Sequence, residues 1–156
     1  MKVIGNEENL TIYINKGNLK INIDDKEELE DYFRSIFIKI KEFYNIKLNG
    51  FYITRAYIDD NYGIIIDMKK DDNDFIYYND YEIEMQLIVN EVTFLYEIED
   101  IFMSKNIYPK IDIYSYKNKY YLKLKEDILN NIIEYVNIIY TNTENILKYG
   151  KLLKIL

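Results

Sequence analysis

Carboxylates are the most numerous chemistry-bearing groups of this chain, 27 in all, and three sets lie close in sequence: Asp24-Asp25, Asp59-Asp60 and Asp71-Asp72-Asn73-Asp74. Oxygen-rich clusters of this kind are what Ca²⁺ and Mg²⁺ select. A calcium loop begun at Asp71, however, would have Phe75 at its fifth place and Ile76 where the sharp turn needs glycine. The clusters are therefore expected to be helix caps and solvated turns, and no metal site is assigned. Two carboxylates suffice for glycoside hydrolysis, so their presence in so acidic a chain selects no such reaction. There is no His and no Cys. Their absence removes the commonest general base, imidazole and thiolate metal ligands, serine–histidine arrangements, cysteine nucleophiles and disulfides together. Five scattered glycines form neither a phosphate-cradling loop nor a dinucleotide fingerprint. Catalytic residues and cofactors are both read as none, and the chain is read as no enzyme; any chemistry would fall to Asp, Glu, Lys or Tyr.

With 156 residues, 49% hydrophobic and 30% charged, the chain has the size and balance to fold around a real core. A net charge of −7 sets most of the surface against phosphate, so nucleic acid is not an expected partner. The 18 tyrosines, alongside abundant Ile, Asn and Lys, read first as the composition of an AT-rich genome and second as a stacking surface. Met1 to Glu8 lacks the apolar stretch of a signal peptide, and no apolar run approaches the ~20 residues of a membrane-spanning helix. No membrane partner and a cytoplasmic location are the expectations.

The elements that must position any site follow from the periodicity. Leu10, Ile12, Ile14 and then Leu19, Ile21, Ile23 alternate around Lys16-Gly17, which predicts a tight hairpin. Leu29, Phe33, Ile36, Phe37, Ile40 and Phe43 or Tyr44 fall at helical spacing, with Asp25 and Glu28 placed as a capping box. A second hairpin is expected from Phe51–Ile58 and Gly63–Met68 around the turn at Asp59–Tyr62. The charged run Asp71–Asp74 is the expected boundary, giving halves 1–72 (ββαββ) and 73–156 (βαββαα). The second half would open with a half-wet strand on Ile83, Met85, Leu87 and Val89, followed by a helix through Phe94 or Leu95, Ile98, Ile101 and Phe102. A hairpin over 111–125 around Lys117-Asn118-Lys119 comes next, then an amphipathic helix on Ile128, Leu129, Ile132, Ile133, Val136 and Ile139. A short last helix would start at Glu144, with Thr143 as its cap and Gly150 near its end. The fold class is α+β, two small halves that each pack one or two helices on an antiparallel sheet. Their shared strand-helix-hairpin order is either a diverged duplication or a common way of covering a small sheet.

Two stretches resemble the MecA family of adaptor proteins for Clp-type unfoldases. The first, Leu10 to Lys70, has the strand Thr11-Ile12-Tyr13-Ile14, an Asn18-Leu19-Lys20 segment running into Asn22-Ile23-Asp24, an aromatic helix around Phe33 and Phe37, and a hairpin ending Tyr62-Gly63-Ile64-Ile65-Ile66. In the second, Ile113 to Leu122 is similar to the family's Leu-Tyr-x-Tyr-x-Gly-Lys-Tyr-Tyr-Leu hairpin, and Glu134-Tyr135 with Lys148-Tyr149-Gly150 echoes its paired Glu-Tyr-Gly motifs. The resemblance implies an amino-terminal half that binds client proteins and a carboxy-terminal half that docks on a Clp-type unfoldase, with no activity of its own. It implies partner-binding roles for Glu134, Tyr135, Lys148, Tyr149, Tyr120 and Tyr121. The chain departs from the family pattern in its short connector, in Asn118 and Val136 where glycine is expected, and in Lys148 where the pattern has Glu. An alternative is a stand-alone interaction or inhibitory module without a Clp partner, for which both halves joined in one sheet would be the mark.

Overall fold

The computed structural model describes residues 1–19, 22–71, 83–101 and 109–153. Its strands form two separate five-stranded sheets, one of Lys2–Gly5, Asn9–Asn15, Gly63–Lys70, Gly50–Asp59 and Ile83–Glu91 in that spatial order, the other of Lys151–Leu153, Ile111–Tyr116, Lys119–Leu124, Leu95–Ile98 and Asn137–Ile139, so the fold is α+β and the pairings specified are antiparallel. The chain divides into two compact units, Met1–Tyr57 with Gly63–Asn90, and Ile58–Tyr62 with Glu91–Leu156.

The first sheet is built from β1 (Lys2–Gly5), β2 (Asn9–Asn15), β3 (Gly50–Asp59), β4 (Gly63–Lys70) and β5 (Ile83–Glu91). Alternation in β2 buries Leu10, Ile12 and Ile14, which pair with Met68, Ile66 and Ile64 of β4 on the same face. Helix α1 (Lys26–Phe43) buries Leu29, Phe33, Ile36, Phe37 and Ile40 as the spacing predicts. Each such side chain removed from water stabilises the fold by roughly 1.5–3 kcal/mol. Asp25 caps the helix by accepting from the N–H groups of Glu27 and Glu28. The expected capping box is only half made, because Glu28 reaches the N–H of Asn22, at 3.3 Å, as its partner. Arg34 ties the helix to β5, donating to the Ile83 carbonyl at 2.8 Å and meeting Glu84 at 3.4 Å.

The order ββαββ holds for the chain up to Lys70, but with a different first pair. The partner of β2 is β1, joined through a turn in which the Asn6 side chain accepts from the N–H groups of Glu8 and Asn9. Lys16–Asn18 is a single 3-10 turn, and Leu19, Asn22 and Ile23 belong to no strand. Lys20 and Ile21 lie outside the described residues, as do Asp72 to Asp74 of the expected boundary. The strand expected to open the second half is instead β5, an edge strand of the first sheet in which Leu87 alone is fully buried. Alternation specifies that a strand has a wet face, not which sheet it joins.

The second sheet contains β6 (Leu95–Ile98), β7 (Ile111–Tyr116), β8 (Lys119–Leu124), β9 (Asn137–Ile139) and β10 (Lys151–Leu153). The helix expected over Phe94–Phe102 is absent from its described part: Leu95, Tyr96 and Ile98 are buried in β6, between β8 and β9. Pairing on both sides outweighs a helical spacing carried by β-branched and aromatic residues. The helix expected over 128–139 survives as α2 (Leu129–Ile132) and a 3-10 turn (Ile133–Tyr135) before the chain enters β9, where Ile138 pairs with Tyr96. Helix α3 (Thr143–Tyr149) is capped in position by Asn142, not by Thr143, which is its first residue and is buried. Both hairpins over 50–70 and 111–124 stand as expected, the second through a two-residue turn with positive φ at Lys117 and Asn118. Asn tolerates this left-handed conformation, so Asn118 serves where the MecA pattern has glycine.

Candidate functional site

The second unit carries all six residues singled out from the sequence, and the structure separates them into surface and core. Tyr135 ends the 3-10 turn and is 56% exposed, beside exposed Glu134. Tyr149 ends α3 and is 66% exposed, with the Lys148 ammonium 5.2 Å from its ring centroid. Tyr120 is half-buried opposite Ser115 and Ile98. Tyr121 is buried with Leu95 and Ile146, with Tyr114, Leu147 and Ile139 packed around them. It is therefore a core residue and not a surface contact. Position along an alternating strand decides this: Tyr121 shares its face with Tyr114 and Glu97, the face that Ile146 and Leu147 of α3 cover.

Gly150 fixes where the end of α3 lies. Its N–H donates to the Ile146 carbonyl at 2.8 Å, and a Cβ there would stand 3.4 Å from the Ser115 carbonyl oxygen. Strand β10 then pairs with β7, Lys151 opposite Ser115 and Leu152 opposite Tyr114. Sequence reasoning missed Lys151 and Leu152 as surface residues. Three residues are too few for a period to show, and no motif includes them.

The carboxylate clusters resolve as structure where they are described. Asp25 is a helix cap. Asp59 is buried, its Oδ1 accepting from the N–H groups of Asn61 and Tyr62 and its Oδ2 from that of Phe94 at 2.8 Å. Among the described residues no group of three or more Asp and Glu is arranged to hold a metal ion, and no helix is long and apolar enough to cross a membrane. Tyr96 has its hydroxyl buried without a hydrogen-bond partner among the described residues. Burial first, then the charges of Asp59, Tyr62 and Asp127, push that phenol well above its ordinary value.

In the first unit, the sheet face away from Leu10, Ile12 and Ile14 presents Thr11 bonded to Asp67 at 2.8 Å, with half-buried Tyr13 beside them. Burial and the Asp67 carboxylate raise the pKa of both Tyr13 and Tyr57. An open hollow of about 510 Å³ lies between the Gly5–Glu8 turn and Asn45–Lys47. Its lining mixes Glu7 and Glu8 with Lys47 and so selects no one ligand charge. Compared with protein-family models, with curated proteins and with solved structures, the chain matches none.

Proposed function

We propose that the chain is a non-catalytic adaptor that tethers client proteins to a Clp-type AAA+ unfoldase for regulated proteolysis. The observation that carries this reading is the exposure of Tyr135 and Tyr149, the two tyrosines of the paired motifs through which the chain resembles the MecA family. Leaving two aromatic rings in water wastes their burial energy unless a partner covers them. Tyr is also the residue type that concentrates binding energy at protein interfaces. Two separate sheets suit a molecule with two binding tasks better than they suit one continuous module. An adaptor of this kind works by holding a client beside the unfoldase, raising its effective concentration to about the millimolar range without altering the unfoldase's chemistry.

The test is capture of a purified Clp ATPase by this chain, repeated with Tyr135→Ser/Tyr149→Ser, Glu134→Lys and Lys148→Glu. The expected result is capture by the unchanged chain, loss with the serine pair and with Glu134→Lys, and stronger capture with Lys148→Glu, which restores the sign of the family pattern. Absence of capture by every variant, with no stimulation of ATP hydrolysis, would overturn the Clp connection.

A further inference from the structure

We infer that the corner made by the end of α3, the edge strand β10 and the β7–β8 turn docks an extended acidic segment of a partner protein. The inference deepens the protein-binding reading above and rests on it, but it assigns this corner a ligand class of its own. Strand β10 is the outermost strand of its sheet, with Lys151 exposed and Leu152 48% exposed. An antiparallel edge strand directs alternate N–H and C=O groups away from its neighbour, and an extended peptide can pair with them. The peptide is therefore recognised first by its backbone.

The charge of its side chains follows from the lysines. The chain as a whole carries −7, yet this corner gathers Lys117, Lys119, Lys148 and Lys151. Lys119 is paired with Glu97 at 3.2 Å. Lys117 and Lys148 lie over the rings of Tyr116 and Tyr149, each 5.2 Å from the centroid, and among the described residues neither they nor Lys151 meet a carboxylate. Three cations without counter-charges among the described residues, gathered on an acidic protein, favour an anionic partner there. The register adds an alternation: Lys151 is on the Ser115 side of the sheet and Leu152 on the Tyr114 side. A strand laid along β10 thus meets the Lys151 ammonium on one face and Leu152 on the other, with Lys148 and Tyr149 together at the adjoining end of α3. Alternating acidic and apolar residues fit both faces.

The probe is a fluorescein-labelled peptide of about ten residues alternating Glu and Val, long enough to span an ordinary strand. Anisotropy is measured on the full chain with no unfoldase present, so failure here leaves the unfoldase reading intact and failure of capture there leaves this measurement intact. The expected result is saturable binding, weakened about fivefold or more by Lys148→Glu/Lys151→Glu and by less than about twofold by Lys16→Glu/Lys39→Glu, which changes net charge equally at exposed sites in the first unit. The unchanged chain should also lose affinity between about 0.05 and about 0.3 M salt as the Debye length shortens. Equal loss in both variants, salt-independent binding, no binding, or equally good competition by a single-stranded oligonucleotide would each overturn the inference. The signs also separate the two readings, since Lys148→Glu should strengthen unfoldase capture and weaken peptide binding.

Discussion

Asp59 shows how one side chain can hold a turn and a neighbouring strand at once. Three backbone N–H groups, those of Asn61, Tyr62 and Phe94, converge on its two oxygens at 2.8, 2.9 and 2.8 Å. Truncation to alanine leaves three donors without an acceptor, so Asp59→Ala should cost about 3 kcal/mol or more. Asp59→Asn, which keeps one acceptor oxygen, should cost about half as much. Urea unfolding followed by circular dichroism checks both, the midpoint falling with the slope unchanged. Tyr96 is the opposite case. Its buried hydroxyl has no partner among the described residues, so Tyr96→Phe should leave stability at neutral pH unchanged or raise it by up to about 1 kcal/mol. The same burial gives a pH dependence with a definite sign. The unfolded chain releases this proton near the ordinary value of 10.0, while the folded protein keeps it to higher pH. Between those points the folded state binds more protons, so stability falls as pH rises above about 10. Tyr96→Phe should flatten that fall, and Tyr13, Tyr32 and Tyr57, also raised by burial, contribute to the slope that remains.

At the scale of elements, the α3–β10 junction depends on Gly150. A Cβ there would stand 2.4 Å from the Ile146 carbonyl oxygen, although φ at −69° is open to any residue. Gly150→Ala should therefore cost about 1–3 kcal/mol through a steric shift of the junction, read by thermal unfolding, and should weaken the acidic peptide as β10 moves. Elements governed by their own sequence were legible without coordinates. Helix α1 has a stripe of five buried residues and a cap at Asp25, and the hairpins over 50–70 and 111–124 have arms rich in aromatic and β-branched residues with turn residues between. What escaped was decided by distant partners or by too few residues. The stretch Phe94 to Ile98 and the stretch Val136 to Ile139 show helical spacing, yet they become paired strands because β6 finds neighbours on both sides. Strands β1 and β10, four and three residues long, are too brief for any period to show. The candidate site divided in the same way. Motif position singled out Tyr135 and Tyr149, which are exposed, but it could not tell Tyr120 from Tyr121, because which of two adjacent strand residues faces α3 is a matter of register.

For the whole molecule, the second unit is not one continuous piece of chain. It takes Ile58–Tyr62, the tip of the β3–β4 hairpin, together with Glu91–Leu156. Within that unit the Val92 N–H donates to the Ile58 carbonyl at 3.0 Å, the Phe94 N–H donates to Asp59, and the Tyr62 ring lies 5.6 Å from that of Phe94. A fragment starting at Glu91 therefore loses an acceptor for two backbone donors and an aromatic neighbour for Phe94. These losses sum to a few kcal/mol, a large share of what holds a domain of this size together. The Glu91–Leu156 fragment made alone should unfold at a much lower urea concentration than the same region in the full chain, and its amide protons should show little dispersion in an NMR spectrum. A fragment as stable as the full chain would mean that Ile58–Tyr62 contributes nothing to the second unit. The result bears on the adaptor reading as well. If the tip is required, an unfoldase-docking half cannot be obtained by a single cut, and the two binding tasks have to be separated by surface substitutions such as Glu134→Lys within an intact chain.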